Sequence, residues 1–253
     1  MTHKQIMEYI KIHHLQVEKT LSCPVIMTML IGSQNYKLDN ETSDIDTFSL
    51  VLPSRANLSI ASDPAAGEFE VNDGKCMYKD IRVALNLLKK TSPNSIEMFR
   101  SKYMLVNEDY LKVVDKFLGD EAIMSYIIHC NYNHMLSAMA GMAHQLTVRN
   151  MPAGKRYSHA LRLLSMSDVF LNKWDTREIL DIKDVDYSLA YAAKRDTEDS
   201  IIYKEGCEQI SNYLTILKEH FNYTEEIQEK EKIGLSYIEQ FQFELINEYL
   251  GRI

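Results

Sequence analysis

The stretch Pro24-Val25-Ile26-Met27-Thr28-Met29-Leu30-Ile31-Gly32-Ser33-Gln34-Asn35-Tyr36, followed by Ser43-Asp44-Ile45-Asp46, decides the fold class of this chain. Residues 24–31 are almost wholly apolar, too short a run for a helix and too apolar for a half-exposed strand, so they predict a buried strand. The strand ends in Gly32-Ser33. A glycine there lets the backbone approach a ligand, and a serine hydroxyl with neighbouring N–H groups suits a phosphate. The segment Asp44 to Leu52 is rich in β-branched and apolar residues, is stopped by Pro53, and predicts a second strand. Alternate strand residues point the same way, which places the Asp44 and Asp46 carboxylates side by side. Such a pair repels itself unless a cation lies between, and oxygen-only ligands suit Mg2+ or Mn2+ completed by water and substrate phosphates. Taken singly, an Asp-x-Asp pair is an ordinary solvated strand end and Gly-Ser an ordinary turn. Their joint placement describes a nucleotide and metal site.

Outward from this core, Ile6, Ile10, Ile12, Leu15 and Val17 give residues 5–20 the period of an amphipathic helix. Glu68 to Asn72 and Lys75 to Ile81, separated by Asp73-Gly74, predict a hairpin. Arg82 to Lys90 predicts a helix, and Ser92-Pro93-Asn94 punctuates it before another begins near Ser95, with Asn94 as its expected cap. Beyond about residue 110 the pattern changes to long helical periods at 121–149, 156–173 and 228–250. The expected fold is α+β: a small mixed-sheet domain over residues 1–110, then a helical bundle over 111–253.

The 253 residues are 45% apolar and 25% charged, with a formal net charge of -8. This balance argues against a protein that grips long nucleic acid through a general basic surface. The cysteines at 23, 76, 130 and 207 form no CxxC pair, so reduced core thiols are expected, with neither a zinc site nor a disulfide framework. No apolar run approaches the ~18 residues of a membrane span, and the N-terminus is charged where a signal peptide is apolar, which predicts a cytoplasmic protein with no membrane partner. His13-His14 and His129, His134 and His144 lack metal-ligand spacing and read as structural. Lys155, His159 and Arg162 fall at i, i+4 and i+7, one helix face suited to phosphates or to solvent.

Gly32-Ser33, Tyr36 and Ser43-Asp44-Ile45-Asp46 resemble the nucleotidyltransferase motif of the DNA polymerase β-like superfamily. Pro93-Asn94-x-x-Glu97 and Lys155-x-x-x-His159-x-x-Arg162 resemble a bacterial and phage subgroup that includes nucleotidyltransferases of RNA repair operons. The resemblance covers roughly residues 25–172. It implies metal-dependent transfer of a nucleoside monophosphate from a nucleoside triphosphate to a hydroxyl acceptor, with pyrophosphate released. It also implies Asp44 and Asp46 as catalytic ligands of two metal ions and Gly32 and Ser33 as triphosphate holders. Lys37, Lys155, His159 and Arg162 join them as nucleotide-binding residues, and the charge of a triphosphate predicts that the last three face the aspartates across a cleft. The acceptor stays open among an RNA or tRNA end, a protein side chain and a small molecule. The chain departs from the pattern twice. Lys37 stands where a glycine commonly follows the tyrosine, and Lys75 stands near the position of a third carboxylate. Glu70, Asp73 and Asp80 are the substitutes, and Asp80 is preferred because it ends the last strand. The third ligand separates an active transferase from a nucleotide-binding regulator; a helical interaction protein is the remaining alternative.

Overall fold

The computed structural model describes residues 2–39, 43–54, 57–58, 65–71, 74–196, 198 and 200–251. Helix α1 (His3–Leu21) opens the chain, started by a capping box in which the Thr2 hydroxyl accepts from Gln5 N–H and the Gln5 side chain accepts from Thr2 N–H. Five strands follow in one mixed sheet: β1 (Val25–Ile31), β2 (Asp46–Val51), β3 (Ala66–Val71), β4 (Gly74–Asp80) and β5 (Met104–Val106). Their spatial order is β3-β4-β2-β1-β5. β1 runs antiparallel to β2 and β5, β3 antiparallel to β4, and only β2 and β4 are parallel. The expected α+β class, with a mixed sheet preceding a helical region, is what the chain forms.

Strand alternation divides the sheet chemically. Val25, Val51 and Cys76 pack with Val17 on the α1 side, whereas Met27, Met29, Phe48 and Leu50 join the large helical core. The α1 side also buries polar groups in pairs: His13 Nδ1 lies 2.8 Å from Thr47 Oγ1, His14 Nδ1 3.0 Å from Thr28 Oγ1, and Thr28 Oγ1 2.7 Å from Ser49 Oγ. The adjacent histidines are therefore structural, as their spacing suggested.

Helix α2 (Ile81–Lys90) leaves β4 directly, and α3 (Pro93–Phe99) follows with its own capping box from Ser92 and Ser95. The cap is thus Ser92, not Asn94, because proline at the first helical position sets the boundary two residues earlier. A short helix α4 (Leu111–Val114) runs into a π-helical turn at Asp115–Gly119. Then come α5 (Glu121–Ile128), α6 (Tyr132–Val148), α7 (Ala153–Asn172), α8 (Asp184–Arg195), α9 (Ile201–Glu219) and α10 (Glu225–Leu250). The single helical period expected over 121–149 is broken at 129–131, where the Asn131 side chain accepts from His134 N–H and starts α6 afresh. One hydrophobic cluster runs from Met29 and Phe48 in the sheet through Phe99 and Met139 to Phe241 and Leu245 in α10. All four cysteines are free, and no helix among the described residues is long and apolar enough to cross a membrane.

Candidate active site

The site is built where β1 ends. Gly32 adopts φ +90°, a backbone conformation that costs a residue with a Cβ, and a Cβ placed on it would lie 3.9 Å from Asp46 Oδ2. A 3-10 turn over Ser33–Tyr36 follows and closes on Lys37 at φ 58°. The position that the resemblance gives to glycine is therefore a left-handed one, occupied here by a lysine whose exposed side chain leaves the turn. Gln34 ties the turn to the aspartate segment by donating to the Asp44 carbonyl at 2.7 Å. Asn35 donates to the Leu30 carbonyl at 2.7 Å, fixing the turn to its own strand.

Asp46 is the first residue of β2, level with Ile31 on β1. Alternation puts it on the same face as Phe48 and Leu50. Its Oδ1 accepts from Lys75 N–H at 3.0 Å. Asp44 lies ahead of the strand rather than within it and is exposed. Strand alternation therefore does not by itself align the two carboxylates. Close approach between β4 and this segment requires a glycine, since a Cβ on Gly74 would fall 2.0 Å from the Ile45 carbonyl oxygen.

The structure does not bring Asp80 to the pair. Thr47 pairs with Cys76 and Val51 with Asp80, so Asp46 is level with Lys75. Asp80 lies five residues farther along β4, about 16 Å of strand. It is fully buried, caps α2 through Arg82 N–H at 2.8 Å, and binds the Arg82 guanidinium at 3.0 and 2.7 Å. Glu70 is one strand removed, paired with Lys75 across β3 and β4. Asp73 lies outside the described residues. The residue beside Asp46 is Lys75, whose Nζ lies 3.6 Å from Glu68. Among the described residues no group of three potential ligands gathers.

The downstream motifs do converge on the turn. Glu97 of α3 accepts from Gly32 N–H at 2.5 Å through Oε1, and its Oε2 lies 3.6 Å from Arg162 Nη1 of α7. The side chains of Arg162 and Glu97 are only 11% and 9% exposed. The Arg162 guanidinium stacks over the Tyr36 ring at 4.4 Å, and burial pushes the Tyr36 hydroxyl well above its ordinary pKa. Gly32 N–H and Arg162 are thus engaged with Glu97, a contact that motif spacing alone did not reveal. His159, one turn earlier, is pushed down to about 3 by burial and by the nearby cations Arg162, Lys194, Lys155 and Arg149. It is a neutral hydrogen-bonding group, not a third cation.

Helix α8 closes this side. Gly154 lets α7 meet it, since a Cβ there would fall 1.9 Å from the Ala193 carbonyl oxygen. Tyr187 donates to the Lys37 carbonyl at 3.1 Å, and Arg195 donates to the Asp39 carbonyl. Burial together with Lys155 and Arg195 lowers Lys194 to about 8. Lys155, Lys194 and Arg149 therefore surround His159 with positive charge on the flank of the turn. No motif in the sequence marked Lys194 or α8.

A family model described as the RNA repair pathway DNA polymerase beta family matches residues 6–177. No curated protein matches the chain at a significant level.

Proposed function

The chain belongs to the RNA repair pathway DNA polymerase beta family, and we propose that it is a nucleotidyltransferase acting on a nucleoside triphosphate and a hydroxyl acceptor. The carrying observation is the chain of contacts from Gly32 N–H through Glu97 to Arg162, which joins three separated motifs beside Asp46. In the reaction the acceptor oxygen bonds to the α-phosphorus, the α-phosphorus to bridging-oxygen bond breaks, pyrophosphate leaves, and the hydroxyl proton is released. Residues 1–110 then serve as the transferase domain and 111–253 as the helical domain that flanks the nucleotide.

Asp44 and Asp46 are the residues that would hold Mg2+ or Mn2+. The donor set fits: both are carboxylates, Asp44 is exposed, and Asp46 Oδ2 faces the space left by the missing Gly32 side chain. A divalent ion bound there supplies offset of phosphate charge and a lowered pKa for the acceptor hydroxyl. Gly32 gives the turn its conformation, Ser33 and Lys37 contact phosphate, and Lys155 adds charge for the leaving pyrophosphate. His159 contributes a neutral N–H or lone pair. Arg162 is a positioning residue that holds Glu97 against the turn.

Lys75 beside Asp46 favours a second reading, a nucleotide-binding regulator without transfer. One experiment decides between them. The chain is incubated with each α-labelled nucleoside triphosphate and Mg2+ or Mn2+, and label is sought in RNA, protein and small-molecule fractions. Transfer by the wild type that is lost in Asp44→Asn and Asp46→Asn supports the transferase; nucleotide binding with no transfer in any fraction supports the regulator.

A further inference from the structure

A cavity of about 490 Å³ opens between α3, α6 and α7 beside Arg162. Its walls divide by chemistry. Met142, Leu146 and Leu163 are apolar, Asn94 and Gln145 bring two carboxamides, and Arg149 and Arg162 bring cations beside the neutral His159. Among the described residues no acidic side chain lines it. A second cavity, beside Tyr36 and Lys37, is of mixed charge: Lys102, Lys173 and Lys183 line it together with Glu178, Asp181 and Asp184.

Gly141 supplies an independent observation. It sits near the middle of α6, where glycine is the poorest helix former after proline. Packing does not demand it, because a Cβ at this position meets nothing within 4 Å. The space it leaves is the wall of the cavity. Arg162, which also lines the cavity, has its Nε buried without a hydrogen-bond partner.

We infer that this cavity is the nucleobase subsite of the donor nucleotide, with the base against Met142 and Leu146, the Asn94 and Gln145 amides reading its edge, and the phosphates leading past His159 and Arg162 toward Gly32. Amides have both donors and acceptors, so they discriminate among base edges where an apolar slot does not. The volume is within the range of small-molecule sites, and a mixed apolar and cationic lining fits a base joined to phosphates. The inference rests on the nucleotide reading of the first motif and adds the residues that select the base.

The test titrates the full chain calorimetrically with the Mg2+ complexes of the four nucleoside triphosphates and of inorganic tripolyphosphate. The wild type binds at least one nucleotide more tightly than tripolyphosphate. Gly141→Met weakens that nucleotide at least tenfold and Gly141→Ala weakens it less, while tripolyphosphate affinity stays unchanged and neither variant melts below the wild type. Equal nucleotide affinity in Gly141→Met and the wild type overturns the subsite. So does a parallel loss of nucleotide and tripolyphosphate, or a wild type that does not prefer any nucleotide. Label transfer distinguishes the two levels: base-dependent binding without transfer refutes the transferase alone, and transfer with unchanged nucleotide KM in Gly141→Met refutes the subsite alone.

Discussion

Lys37 holds a left-handed backbone at φ 58° to close the phosphate turn. That conformation costs a residue with a Cβ about 1–2 kcal/mol, partly offset by the extra freedom glycine brings to the unfolded chain. Lys37→Gly should therefore raise stability by up to about 1 kcal/mol in urea unfolding, while weakening nucleotide binding through the lost charge. Glu97 and Arg162 are a buried pair whose separation leaves a charge without compensation. Arg162→Met or Glu97→Gln should each cost about 3 kcal/mol, and the double variant less than the sum, as a double-mutant cycle measures. A fully additive cycle would show that the two side chains do not act together. Asp44→Asn keeps volume at an exposed position and should leave the melting temperature within experimental error while ending metal-dependent transfer.

At the level of elements, the register of β4 against β2 sets the chemistry of the site. Asp80 spends its carboxylate on the start of α2 and on Arg82. Asp80→Ala should therefore destabilise the fold by about 2 kcal/mol or more while leaving Mn2+ affinity unchanged in calorimetric titration. Lys75→Asp places an acid level with Asp46 and should tighten Mn2+ binding severalfold in the same measurement. An inverse result for these two variants would assign the third ligand to Asp80 despite its distance. Helix α8 reaches the phosphate turn through Tyr187, whose hydroxyl donates to the Lys37 carbonyl. Tyr187→Phe removes one hydrogen bond, worth about 1 kcal/mol, and should raise the nucleotide KM more than it lowers kcat.

Across the whole molecule, burial holds His13, His14, His129 and His159 below the ordinary 6.5, with His159 at about 3. Above pH 6.5 these imidazoles are neutral in both folded and unfolded chains and impose no penalty. As pH falls through 6.5 the unfolded chain takes up protons that the folded chain refuses, so stability drops, and for His159 the drop continues to about pH 3. The melting temperature should fall steadily between pH 7 and pH 4, and His159→Gln should flatten part of that slope. A flat profile in the wild type would show that the imidazoles are not held neutral by burial.

The sequence by itself determined the buried first strand, the Gly32-Ser33 turn, the hairpin at β3 and β4, and, to within a few residues at their ends, the helices expected at 82–90 and 156–173. Each of these depends on periodicity or turn chemistry within about ten residues. Only the tertiary structure decided that Lys75 and not a third acid is level with Asp46, that Glu97 meets Gly32 N–H, and that α8 braces Lys37. β5 and α8 were missed for the same reason: a three-residue strand and a half-exposed helix carry little pattern of their own. The deciding contacts join residues 65 and 150 positions apart. Strand register and burial depth arise from packing across such separations, and no local spacing encodes them.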